Sequence, residues 1–138
     1  MYHMPYNAAG DTFLDWQKVT SDRLTFMSST EATFSKSLYD PSVDKSRFDV
    51  KLSLGYCGNA SVALVTEYYE TGKRDEPLLR QVSQTVSVSK TTRKPIPFPE
   101  WFKNKYTGKG VLDQGLVLRP FDRPENTYAY DVKVSWFF

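Results

Sequence analysis

The sequence predicts an α+β domain in which an antiparallel sheet wraps around one long amphipathic helix. Three observations carry that expectation. Between about residues 8 and 27, Phe13, Trp16, Val19 or Thr20, Leu24 and Met27 recur at spacings of three and four, one apolar stripe of a helix. From Phe48 to Lys90 three consecutive runs follow a strand pattern, most clearly Phe48, Val50, Leu52, Leu54 and Tyr56 alternating with Asp49, Lys51, Ser53 and Gly55. Near the far end, Tyr128, Tyr130, Val132, Val134 and Trp136 alternate with smaller and polar residues. A helix with a single apolar stripe needs a sheet with a single apolar face to bury against.

Composition narrows the class. At 138 residues the chain fits one domain with a substantial core, and 40% apolar with 15% aromatic residues excludes a disordered chain. Eighteen Lys and Arg stand among sixteen Asp and Glu, a net charge of +2. Such scattered charge argues against nucleic-acid binding, and Arg93-Lys94 is too short a cluster to form an electrostatic footprint. The single cysteine, Cys57, cannot form an internal disulfide and suits a cytoplasmic or other intracellular reducing compartment as a structural thiol. No apolar run approaches the roughly 18–20 residues of a membrane span, and Met1–Ala9 lacks the order of a signal peptide.

Taken in order, residues 1–9 are aromatic and polar and contain the lone His3. The helix then occupies about 8–27, with Asp11 and Asp15 near its start complementing the helix dipole. Met27–Thr30 break it, and alternation of Ala32, Phe34 and Leu38 with Thr33, Ser35 and Ser37 predicts a strand over 31–39. Asp40-Pro41-Ser42 is a turn. Strands follow at 48–56, 61–69 and 78–90, joined by the turn Cys57-Gly58-Asn59 and the polar loop Thr71–Glu76. A proline-rich terminator, Thr91–Trp101, closes this meander. Phe102–Gly110 reads as a loop or short irregular helix, and Gly108-Lys109-Gly110 lacks the spacing of a phosphate loop. Val111–Arg123 is a short extended segment or loop, and a last strand covers 128–137. No internal repeat stands out.

Two stretches bear a resemblance. Leu52-Ser-Leu-Gly-Tyr-Cys-Gly-Asn-Ala-Ser-Val62 is similar to the strand–turn–strand of hot-dog acyl-CoA thioesterases of the 4-hydroxybenzoyl-CoA thioesterase-like superfamily. Val86–Glu100, with its basic turn and Pro-x-Pro-x-Pro ending, resembles that family's final strand and exit. Tyr130-Asp-Val-Lys-Val-Ser-Trp136 is similar to the family's first strand, here at the opposite end of the order, as in a permuted, truncated or strand-swapped arrangement. The resemblance implies a hot-dog fold, an acyl-CoA or other acyl-thioester substrate, no cofactor, and a homodimer or larger assembly built edge to edge. The cone-shaped fold of nuclear transport factor 2-like proteins is a related architecture that fits the same elements.

Thioester hydrolysis needs a carboxylate that activates water or attacks directly, and donors aimed at the developing oxyanion. The expected catalytic groups are His3, Asp11 and Asp15. His3 is the one side chain that titrates near neutrality unaided. Backbone around Asn7, Ala8 and Gly10, at the expected helix start, would supply oxyanion and substrate contacts. Gly58, Asn59, Ser61, Arg93 and Lys94 are candidates for the phosphates of CoA. Glu31 and Glu67 lie on strands and could face a cup or solvent. One His and one Cys leave nothing resembling a zinc set. The family carries an acid a few residues before its loop His, and no acid precedes His3. That departure keeps open a non-catalytic hot-dog or cone-like module that binds a hydrophobic ligand or protein partner. A hot-dog dehydratase, with His3 beside an acid, is a further alternative.

Overall fold

Four antiparallel strands form the frame of the computed structural model, which describes residues 11–120 and Glu125. They are β1 (Arg23–Phe34), β2 (Phe48–Cys57), β3 (Ser61–Glu70) and β4 (Leu79–Ser89), in the sheet order β1-β4-β3-β2. Helices are short. A 3-10 turn over Phe13–Asp15 leads into α1 (Trp16–Val19), a second spans Lys36–Tyr39, and α2 covers Glu100–Tyr106. The chain is α+β with an antiparallel sheet, and no long helix lies along that sheet among the described residues. Nor is any described helix long and apolar enough to cross a membrane.

The helix expected over 8–27 is therefore corrected. Leu14 and Asp15 adopt left-handed φ values of 59° and 50°, which ends any continuous helix entering from the N-terminal side. Beyond Val19, the Thr20 hydroxyl donates to the Trp16 carbonyl at 2.7 Å and the Ser21 hydroxyl to the Lys18 carbonyl at 2.9 Å, so side chains take the last helical acceptors. From Arg23 onward the sequence is rich in Thr, Ser and Phe, types that fit a pleated surface better than a helix. β1 pairs with β4 from Arg23↔Ser89 to Phe34↔Leu79, with a bulge between Met27 and Ser29. The strand expected over 31–39 thus begins eight residues earlier and stops at Phe34. There Ser35 accepts from the Ser37 amide and starts the 3-10 turn. The strand expected over 128–137 lies outside the described residues.

Alternation assigns the sheet two faces. On the front face, Leu54 and Leu64 join Leu14, Val19, Cys57, Val62, Phe98 and Phe102 in the larger core cluster, with Leu52 packed against it. On the back face, Ala63, Val65 and Val82 meet Tyr56, Leu112 and Leu116. The proline-rich segment builds the front cover. Ile96 donates its amide to Ser87 and Phe98 to Asn59, so the chain folds back beside β4 and drops Phe98 into the core. Buried Arg23 holds this segment by donating to the Pro97 carbonyl at 2.8 Å and the Ser87 hydroxyl at 3.2 Å, while Asp22 accepts from its other nitrogens.

After α2 the chain passes from front to back around the outer edge of β2. It does so at the bulge between Leu54 and Tyr56, where the Val111 and Leu112 amides donate to the Leu54 and Gly55 carbonyls. Gly110 is required at this crossing, because a Cβ there would overlap the Gly55 carbonyl.

Candidate functional site

The front face divides into a covered half and an open half. The covered half lies under α1, Phe98 and α2, where Phe98 and Phe102 stack with ring centroids 4.8 Å apart and Tyr106 packs on Phe102 at 4.9 Å. The open half lies four residues along β2 and β3 from Leu54 and Leu64. Register aligns Val50, Tyr68, Leu79 and Phe34 in one row across all four strands. Phe48 meets Tyr68 edge-on at 6.3 Å. Phe34 and Val50 at the two ends of the row are 53% and 56% exposed. Between them Tyr68 and Leu79 are half-buried.

A small cleft of about 290 Å³ flanks the covered half, lined by Asp11, Thr12, Asp15, Gln17 and Lys18. Two expected acids therefore share one depression. Their situations differ. Asp15 reaches across to α2, where one of its carboxylate oxygens accepts from Lys105 Nζ at 2.7 Å and from the Tyr106 hydroxyl at 2.6 Å. Chiefly the Lys105 bond, then the Tyr106 bond, holds its carboxyl below the usual carboxylate range. The same contact raises Lys105, and burial followed by the Asp15 bond pushes Tyr106 up. A carboxylate stabilised in this way is a poor proton acceptor. Its role is to pin the left-handed turn to α2. Asp11 lies exposed at the rim of the cleft.

The remaining expected residues separate. His3, Asn7, Ala8 and Gly10 lie outside the described residues. The helix on which the oxyanion expectation rested starts at Trp16, one turn long, so its N-terminus is not at Asn7–Gly10. Gly58, Asn59 and Ser61 form the β2–β3 turn, closed by the Gly58 amide donating to the Ser61 carbonyl at 2.8 Å. Asn59 also accepts from Lys103 Nζ at 3.1 Å, so α2 joins this turn to Asp15. Arg93 and Lys94 sit in a different, exposed turn after β4, tied back to Ser89. Glu67 lies on the back face between Lys51 at 3.7 Å and Arg80 at 3.9 Å, and Glu31 is exposed opposite Val82. Burial pushes the Cys57 thiol up, which leaves it an inert packing atom of the core. No set of His, Cys, Asp and Glu able to hold a metal ion occurs among the described residues.

Sequence reasoning missed Lys105 and Tyr106. A signal was present: Pro99-Glu100 followed by Lys103 and Lys105 has the acid-first, base-last order of a short helix. It also missed the open row, which exists only once the register of four strands is known.

No protein-family model matches this sequence, and no curated protein does. Among solved structures, the crystal structure of the PA5185 protein from Pseudomonas aeruginosa strain PAO1 is similar to 61% of this chain at 18% identity, with a TM-score of 0.49. The matched part spans 55% of that chain, a little over half its length.

Proposed function

We propose that this chain is an antiparallel-sheet module that binds an acyl thioester, with acyl-CoA as the reference ligand, through the open half of its front face. The observation that carries this reading is the row Val50–Tyr68–Leu79–Phe34, exposed at its two ends and half-buried at Tyr68 and Leu79. Apolar side chains aligned in one row across a sheet offer a surface on which an extended apolar ligand can lie. A pantetheine-linked acyl chain offers the matching chemistry, whereas the Arg93-Lys94 turn stands at the Ser89 end of β4, away from the row at Leu79, and is not part of this reading. Edge-to-edge association of two copies is part of the same proposal. β1 supports it, as an outer strand of twelve residues that carries one exposed charge, Glu31, and no proline.

Calorimetric titration with acyl-CoAs of increasing chain length, and with CoA itself, tests the reading. Affinity should rise with chain length, and Phe34→Asp should lower acyl-CoA affinity at least about tenfold while leaving CoA binding alone. Equal affinity for acyl-CoA and CoA would sink it.

A second reading, hydrolysis of the bound thioester, has its own support in the cleft at Asp11. On this reading Asp11, which lines the cleft, is the carboxylate to test as the group that activates water. In a thiol-release assay Asp11→Asn would then abolish turnover. Absence of turnover in the parent protein leaves the binding module, and the dehydratase alternative requires His3.

A further inference from the structure

Where β3 turns into β4, the sheet holds a second cleft of about 280 Å³, lined by Asp49, Val50, Lys51, Tyr69 and Arg74. Register explains how it forms. Asp49 stands opposite Tyr69 and Lys51 opposite Glu67, and opposed residues of an antiparallel pair share a face. Since Val50 and Tyr68 lie on the front, Asp49, Lys51 and Tyr69 project from the back. Arg74 arrives from the loop between β3 and β4. That loop is tied to β2, because Gly72 turns it with a left-handed φ of 80° and donates its amide to Asp49 Oδ2 at 3.1 Å.

Tyr69 distinguishes this cleft from an ordinary surface hollow. The residue is only 8% exposed, yet its hydroxyl has no hydrogen-bond partner among the described residues. No described side-chain oxygen or nitrogen is both buried and unpartnered. The Tyr69 hydroxyl therefore reaches the accessible space of the cleft that Tyr69 lines. A donor carried on a buried ring is already held in place and loses little freedom when a ligand binds.

Two cations complete the walls. Lys51 faces Glu67 at 3.7 Å, too long for a hydrogen bond, so its ammonium keeps its donors for another acceptor. Arg74 pairs with no carboxylate among the described residues, while Lys73 beside it takes Glu70 at 2.9 Å. The one acid of the lining, Asp49, has an oxygen engaged by the Gly72 amide. Lys51 and Arg74 against Asp49 leave the lining with an excess of positive charge.

We propose that this cleft binds an oxyanion, a phosphate or carboxylate group, with Arg74 as a bidentate fork, Lys51 as the second cation and the Tyr69 hydroxyl as the neutral donor. A guanidinium matches the geometry of both groups. The volume lies at the low end for small-molecule sites and suits a small anion or the anionic head of a larger ligand. The cleft opens on the back and meets the row Val50–Tyr68–Leu79–Phe34 only at Val50, so the inference does not rest on the acyl-thioester reading.

Titration of the full chain with inorganic phosphate and, separately, with acetate tests the assignment, with ionic strength held constant by chloride. The amide resonances of Lys51, Tyr69, Gly72 and Arg74 should shift saturably, with a Kd of about 1–10 mM for at least one anion. Phosphate alone defines a phosphate site, acetate alone a carboxylate site, and both a general oxyanion site. Arg74 is exposed, so Arg74→Gln leaves the fold in place and should weaken binding at least about fivefold, with part of the loss recovered by Arg74→Lys. Tyr69→Phe keeps the buried ring and should weaken binding about threefold. Phe34→Asp, on the front, should leave anion binding unchanged. Absence of saturable shifts with both anions, binding that Arg74→Gln leaves intact, or loss of anion binding in Phe34→Asp overturns the assignment.

Discussion

The covered and open halves of the front face are built from the same strands yet end in opposite states. Under α1 and α2, side chains from three separated segments, Phe13–Val19, Phe98 and Phe102–Tyr106, converge on Leu54 and Leu64. Four residues along β2, the row through Val50 and Tyr68 receives no such cover among the described residues. On β2 the difference lies in the neighbours, since Phe48, Val50, Leu52 and Leu54 alternate through both halves alike. A front face half sealed by aromatic side chains and half open is suited to hold a ligand against a rigid floor. Substitutions in the two halves should accordingly split stability from binding.

The largest stability loss is expected from Phe102→Ala. Phe102 is fully buried between Phe98 and Tyr106, so truncation removes transfer energy and leaves a cavity, at about 3–5 kcal/mol. Chemical denaturation, with the midpoint shifted and the slope kept, measures it. A loss below about 1 kcal/mol would show that the covered half is not a packed core.

Gly110→Ala comes next. The new Cβ collides with the Gly55 carbonyl, and relief requires displacing the Val111 and Leu112 amides from β2. Overpacking of this kind costs about 1–3 kcal/mol. The front-to-back crossing should loosen, seen as faster exchange at the Leu112 amide.

Asp15→Asn tests the pin between the turn and α2, with about 1 kcal/mol expected from the weakened Lys105 and Tyr106 bonds. The sign of its pH dependence follows from the depressed carboxyl. Its stabilisation is present in full above the ordinary value of 3.8 and fades as pH falls through the lower folded value. Parent and variant should therefore differ at pH 6 and converge in strong acid. A constant difference across that range would remove Asp15 as the origin.

How much of this was legible in sequence follows the same division. The strands β2, β3 and β4 were readable because each carries its own alternation over ten or more residues. The segment before them was misread for a physical reason. Phe13, Trp16 and Val19 do enter the core at helical spacing, but Leu24 and Met27 extend the same spacing by coincidence onto a strand. Pairing with β4 outweighs a weak periodic preference. At the cleft, Asp11 and Asp15 were legible as neighbours, while the commitment of Asp15 was not. Its partners lie about ninety residues away, in a stretch that reads as a loop or short irregular helix. The open row was invisible because no single segment contains it.

The smallest stability effect, and the sharpest test of the comparison, belongs to the open half. Phe34 ends the exposed row on an edge strand, so Phe34→Ser removes little buried area, and stability should change by less than about 0.5 kcal/mol. On the proposed acyl-thioester reading, ligand affinity should nevertheless fall several-fold, because the lost ring is exposed surface against which the acyl chain would pack. Val50→Thr is the near-isosteric companion at the other end of the row. It retains shape and adds one hydroxyl, so its effect on binding should be smaller and of the same sign. If Phe34→Ser destabilised the fold as Phe102→Ala does, the row would already be covered in the free protein. The two halves would then be one core, and the binding surface would have to lie elsewhere.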